Sequence, residues 1–156
     1  MTSDIIKYLA TAGQTAPSAD NSQPWIFVIN DKEIQLFIDL EKIKPSCFDI
    51  NHPAILLAIG AVIENILQAA RWIGIKIDYD YCLCLETGKC AIFYIPDAYI
   101  PLPENARTHP LFMRCTNRLT FVKKPLPMGI ANEILNFSNS TCKVLLYQNS
   151  DQLYQW

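Results

Sequence analysis

From Pro53 to Ile73 the apolar residues Ile55, Ile59, Val62, Ile66, Ala70 and Ile73 recur at helical spacing, and the rest of the chain has to be arranged around that stretch. Pro53 suits a first helical turn, where its missing N–H costs nothing, and Gly74 suits the stop. Glu64, Gln68 and Arg71 fall on one face, so the helix is amphipathic in its second half and nearly all apolar in its first. A helix apolar all round is central. The chain of 156 residues, 51% of them apolar, has room for one sizeable core and is not expected to be disordered. The uncharged run from Pro53 to Ile63 falls short of the roughly 18–20 residues of a membrane span, and Glu64 ends it. No membrane partner is expected. Nor is a nucleic-acid partner, because a net charge of −2 provides no basic stripe.

Strand patterns flank this helix. "WIFVIN" followed by "DKEIQLFID" reads as a hairpin turning at Asn30-Asp31, with Ile34, Leu36 and Ile38 alternating with other residues. "IKIDYDYCLC" and "CAIFYIP" read as two more strands joined at Thr87-Gly88. Ser3 is the expected N-cap of a first helix ending near Gly13, which would supply a left-handed cap. "PDAYIPLPENARTHP" carries four prolines in fifteen residues and marks a connection. Beyond it, a helix from Pro127 to Phe137 and a strand from Lys143 to Tyr147 are expected.

Three groups of residues could carry chemistry. "TAPSADNSQPWIFVIN", Thr15 to Asn30, places Pro17, Ser18, Asp20, Asn21, Ser22, Gln23 and Pro24 directly before a strand. These are ordinary turn residues, and they are equally the donors and acceptors of a loop facing a planar, hydrogen-bonding ligand. "RCTNRLTF", Arg114 to Phe121, sets a threonine between two arginines. It reads either as an exposed basic turn or as a phosphate clamp, in which guanidinium forks bind oxygens bidentately and the hydroxyl of Thr116 adds a neutral donor. Six cysteines make up the third group: Cys82, Cys84 and Cys90 close together, with Cys47, Cys115 and Cys142 elsewhere. C-x-C on an alternating strand has neither the paired knuckles nor the helical histidines of a zinc site, so no metal is expected. Cys82 and Cys84 are expected on one face of that strand. No secretory leader opens the chain, which points to a cytoplasmic protein with reduced thiols. His52 and His109, each beside a proline, read as loop histidines, and Asp49 and Glu64 are solitary carboxylates, so no catalytic acid, base or nucleophile is assigned.

The order of residues from Ala16 to Ile29, "APSADNSQPWIFVI", resembles the A-P-S-x-x-N-x-Q-P-W-x-F-x-V signature of the nitroreductase family of FMN-dependent oxidoreductases, with Ile29 in place of its final valine. "RCTNRLTF" is similar to that family's R-x-S-x-R-x-F box, with Thr116 in place of serine and Phe121 one position beyond that of the box's phenylalanine. The resemblance implies an α+β fold whose mixed, mostly antiparallel sheet packs on a long central helix. It also implies that Pro17, Ser18, Asn21 and Gln23 line the ring side of FMN, and that Arg114, Thr116 and Arg118 hold its phosphate. NAD(P)H would be the reductant, and a small electron-poor molecule the substrate.

The loop precedes the box here by about a hundred residues, the reverse of the usual order. That arrangement is similar to the Acg-type branch, in which two nitroreductase-like halves are fused and one lends its loop to the flavin of the other. "FDINHPAILLAIGAVIENILQAARWIGI" is similar to a helix of that branch, with Asn51 and His52 near the position of its arginine. Residues 1–106 would then be a first half and 107–156 the truncated start of a second. The expected partner is a second copy in a homodimer or a separate nitroreductase-like half. The alternative functions are a flavin-sequestering protein without turnover and an inactive remnant.

Overall fold

The computed structural model describes residues 2–43, 49–84, 86–96, 101–119 and 124–147. Phe121 of the arginine box, Cys47 and the strings around residues 97–100 and 148–156 lie outside them. The chain divides into two compact units, Met1–Cys115 and Thr116–Trp156.

The first unit is an α+β structure, as expected. It opens on helix α1 (Thr2–Gln14), followed by strands β1 (Trp25–Ile29) and β2 (Glu33–Ile38), the short helix α2 (Leu40–Ile43), the long helix α3 (Pro53–Trp72), and strands β3 (Asp78–Tyr81) and β4 (Lys89–Tyr94). The four strands form one sheet in the order β1-β2-β4-β3, and every pairing is antiparallel. The first hairpin closes where the sequence places it: the Asn30 side-chain oxygen accepts from the Lys32 and Glu33 amides at 2.9 Å each, and Trp25 pairs with Ile38. Asn supplies such turns because its short amide satisfies backbone donors two and three residues on.

α3 follows the predicted period closely. His52 caps it, its Nδ1 accepting from the Ala54 amide at 3.2 Å, and Gly74 turns the chain out at φ +73. Its 20 residues are long and apolar enough to cross a bilayer by length and composition, a longer run than the Pro53–Ile63 segment weighed in the sequence. One stripe of it is core: Ile55, Ile59, Val62, Ile66 and Ala69 are buried together with Ile5 and Leu9 of α1, Ile34 and Leu36 of β2 and Phe93 of β4. Tyr8 of α1 sits in this core at 1% exposure, and its hydroxyl donates to the Ala106 carbonyl at 3.0 Å. That bond ties the proline-rich connection to the helices.

Two local expectations shift. α1 begins at Thr2 and runs to Gln14, so Ser3 and Gly13 are both inside it. Gly13 is required for proximity and not for a left-handed cap: a Cβ there would stand 2.8 Å from Phe27 Cζ and 3.2 Å from Ile66 Cδ1. β3 ends at Tyr81, so Cys82 and Cys84 lie beyond it, with the Cys82 amide donating to the Cys90 carbonyl at 2.9 Å and the Cys84 amide to Lys89 at 2.8 Å.

The turn between β3 and β4 depends on Gly88. Its φ is +73, its carbonyl accepts from the Ile38 amide at 2.7 Å, and a Cβ would come within 2.8 Å of the Ile38 carbonyl oxygen. Left-handed strain and a clash with backbone add, so Gly88→Ala is expected to cost about 2–3 kcal/mol in urea unfolding. A loss below about 0.5 kcal/mol would mean that the β2–β4 junction tolerates a side chain there.

Three groups make stability fall at alkaline pH. Burial pushes the Cys90 thiol up from 9.0 to about 11, burial also raises the Tyr8 phenol, and the Tyr94 phenol is raised by its hydrogen bond to Asp80. The fold favours the protonated form of each, so the stability they contribute is whole below their ordinary values and is lost as pH climbs through the raised ones. For Cys90 the window runs from 9.0 to about 11. Thermal melts across it should show the midpoint falling more steeply in the native chain than in Cys90→Ala. Equal slopes would refute the assignment.

In the second unit, helix α4 (Met128–Leu135) lies within the predicted Pro127–Phe137. The predicted strand from Lys143 to Tyr147 does not form. The local amides are taken instead by side chains: Asn139 Oδ1 accepts from Thr141 and Cys142 at 2.8 and 2.7 Å, and Ser138 Oγ from Val144 at 2.9 Å. Side-chain acceptors compete with a ladder for backbone amides, and strand propensity alone does not decide the outcome.

Candidate functional site

The loop from Thr15 to Pro24 leaves the end of α1 and enters β1. It is the most strained segment described: Asp20, Asn21 and Gln23 have φ of 50, 55 and 46. Asp and Asn tolerate the left-handed region, but Gln gains nothing there, and each such residue costs about 1 kcal/mol or more. Strain of this kind persists only where the surroundings over-determine the backbone.

The surroundings do so here. Within the loop, Ser18 Oγ accepts from the Gln23 amide at 2.9 Å, and the Asn21 and Ser22 amides donate to Ser18 and Ala19 at 3.1 and 2.9 Å. At the exit, Lys42 Nζ donates to the Gln23 carbonyl at 3.2 Å and the Asp39 amide to Pro24 at 3.0 Å. At the entry, Asn65 Nδ2 donates to Thr15 Oγ1 at 3.1 Å and to the Ala12 carbonyl at 3.2 Å. Arg114 donates to the Thr15 carbonyl from Nε at 3.2 Å and from Nη2 at 3.0 Å. Pro24 and Trp25 are buried beneath the loop, whereas Pro17, Asp20, Asn21 and Ser22 are exposed and Ser18 and Gln23 half-buried.

A cavity of about 550 Å³ opens at the exit end, with Gln14, Gln23, Asp39 and Lys42 as its polar wall and Trp25 and Phe27 among its apolar one. Its volume falls in the range of small-molecule sites. Of the four residues expected on the ring side, Gln23 lines this cavity, and Pro17, Ser18 and Asn21 stand on the loop away from it. Of the expected phosphate residues, Arg114 belongs to the first unit and turns its fork to the loop. Thr116 and Arg118 are exposed at the start of the second unit, where Asn117 Oδ1 accepts from the Leu119 amide at 2.9 Å.

Asn65, Asp39 and Lys42 were not singled out in the sequence. Asn65 left one legible trace: it is an uncharged polar residue on the half-buried side of α3, beside the exposed face on which Glu64, Gln68 and Arg71 interact. Among the described residues no group of three His, Cys, Asp or Glu side chains is placed to hold a metal. Cys82, Cys84, Cys90, Cys115 and Cys142 are free thiols, and hydrogen bonds, above all to the Thr87 side chain, hold Cys84 below the usual thiol range.

No protein-family model matches the chain. Two curated proteins, each described as "Putative NAD(P)H nitroreductase acg" and from Mycobacterium tuberculosis strains CDC 1551 / Oshkosh and ATCC 25618 / H37Rv, are 27% identical to it over 127 residues. The match takes in 80% of this chain and 38% of the relative, so the chain spans well under half the length of the proteins it resembles. A likeness of that extent supports distant kinship with proteins described as nitroreductases.

Proposed function

We propose that this chain belongs to an FMN-dependent oxidoreductase that passes electrons from NAD(P)H through the flavin to a small electron-poor acceptor. The observation that carries the reading is the A-P-S-type loop itself, held in a strained conformation from both ends beside a cavity of small-molecule size. The donor set suits a flavin. Gln14, Gln23 and Lys42 offer N–H groups, Asp39 offers acceptors, and Trp25 and Phe27 offer aromatic surface for a planar ring with polar edges.

The flavin, when bound, supplies the hydride and electron chemistry. The chain's own residues then have to bind, orient and desolvate. Gln23 lines the ring side, and the strained loop that carries Pro17, Ser18 and Asn21 holds it at a fixed position, which lowers the ordering cost of binding. Thr116 and Arg118 are assigned to the phosphate, and Arg114, whose fork grips the Thr15 carbonyl, to the loop. No side chain need act as acid or nucleophile. The outer face of α3, where Leu57 is 74% exposed beside Pro53, Leu56 and Gly60, is the surface we assign to a second copy or a second nitroreductase-like half.

Anaerobic mixing of the flavin-loaded protein with NADPH and with NADH tests the reaction. Bleaching of the flavin absorbance is expected, with reoxidation on adding a quinone or nitroaromatic. Flavin that stays oxidised would replace this reading with that of a sequestering protein.

A further inference from the structure

We infer that Arg114 is a positioning residue for the Thr15–Pro24 loop, whose grip on the Thr15 carbonyl governs flavin affinity independently of the flavin's phosphate. For its ligand this rests on the reading above; for its mechanics it does not.

Arg114 and Thr15 are 99 residues apart, yet two N–H groups of one guanidinium converge on one carbonyl oxygen at 3.2 and 3.0 Å. Both bonds are charge-assisted, and a rigid fork loses less freedom in making them than a lysine would. Thr15 is saturated: its amide donates to the Ala12 carbonyl at 3.2 Å, its hydroxyl donates to the same oxygen at 2.7 Å and accepts from Asn65 at 3.1 Å, and its carbonyl belongs to Arg114. Asn65 holds the side chain and Arg114 the main chain. The residue so fixed is the last before a segment with three left-handed positions, whose far end is held by Lys42 at the Gln23 carbonyl. With Arg114 removed, the Thr15 carbonyl loses its partner, and the entry rests on the Asn65 clamp and the amide bonds of Thr15 and Ala16 to the end of α1. The strain at Asp20, Asn21 and Gln23 then has a less firmly held end toward which to relax.

The fork uses the Nε–H and one Nη2–H, leaving three of the five guanidinium N–H groups. A phosphate could meet those three, so loss of FMN binding on mutating Arg114 would by itself be ambiguous. Riboflavin removes the ambiguity, because it carries the ring and ribityl chain without the phosphate. A phosphate ligand alters the preference for FMN over riboflavin, whereas a loop-positioning residue weakens both and leaves the ratio unchanged.

The experiment compares Arg114→Ala, Arg114→Lys and Arg118→Ala with the native chain by amide hydrogen exchange of residues 16–23 without ligand, and by titration with FMN and with riboflavin. Arg114 is exposed, so its variants should fold. Both Arg114 variants should exchange these amides about tenfold faster while α3 is unchanged. Both should also weaken FMN and riboflavin by the same factor, and Lys fails despite its charge because it lacks the fork. Arg118→Ala should weaken FMN alone and leave loop exchange as in the native chain. Unchanged exchange in Arg114→Ala, or loss of FMN with riboflavin binding intact, would overturn the inference. If the native chain bound neither flavin, the proposed function would fall, and the exchange rates alone would decide whether Arg114 holds the loop.

Discussion

Replacing Ile66 by alanine should lower the unfolding free energy of the first unit by about 3–4 kcal/mol, near the upper part of the range for large-to-small core changes. Ile66 is fully buried in the middle of α3, and its γ1 and δ1 carbons pass 3.2 Å from where a Cβ on Gly13 would stand. Helix α1, helix α3 and strand β1 therefore meet closely around Gly13, which has no side chain of its own to fill the void that truncation leaves. Urea unfolding should show the midpoint fall with the slope unchanged. The same geometry makes a second result specific. Gly13→Ala in the native background overpacks against Phe27 and Ile66, but in Ile66→Ala much of the obstructing side chain is gone, so the double variant should be more stable than the sum of the singles by about 1 kcal/mol. Strict additivity would show that the three elements do not share that contact.

Replacing Arg118 by alanine should weaken FMN binding by about 30- to 100-fold, the worth of a charge-assisted contact to a phosphate. Arg118 is exposed in the second unit, so the loss should come with no change in stability. Arg118→Lys should recover only part of the affinity, because an ammonium keeps the charge without the bidentate geometry. The native affinity should fall with added salt and that of Arg118→Ala less steeply. A riboflavin affinity that Arg118→Ala also lowers would remove this residue from the phosphate and return the R-x-T-x-R stretch to an ordinary basic turn. Calorimetric titration at two salt concentrations separates these outcomes.

The elements that were legible in the sequence are those with local causes. The period of α3, its Pro53 start and Gly74 stop, the Asn30 turn and the alternation in β2 are each written within a few residues. The loop was legible as a motif and its backbone was not, since nothing in "SADNSQPW" announces that Gln23 adopts a conformation usually left to Gly or Asn. What stayed hidden is non-local. Arg114 was legible as a guanidinium that binds oxygens, but the oxygen it finds is a carbonyl at the far end of the unit. Asn65 looked like one more polar residue on a helix, because only packing decides which polar side chain turns inward. Lys143 to Tyr147 failed for the converse reason: a local preference for strand was readable, and the capture of the Val144 amide by Ser138 Oγ was not.

The central claim, that these residues build a flavin site, is tested most directly by the visible absorbance spectrum of the purified chain after incubation with FMN and removal of free ligand. The account predicts a retained flavin spectrum in stoichiometric amount, with the band shifted from that of free FMN by the loop and the aromatic wall. A colourless protein would contradict it, leaving the motif as a mark of kinship without a cofactor site.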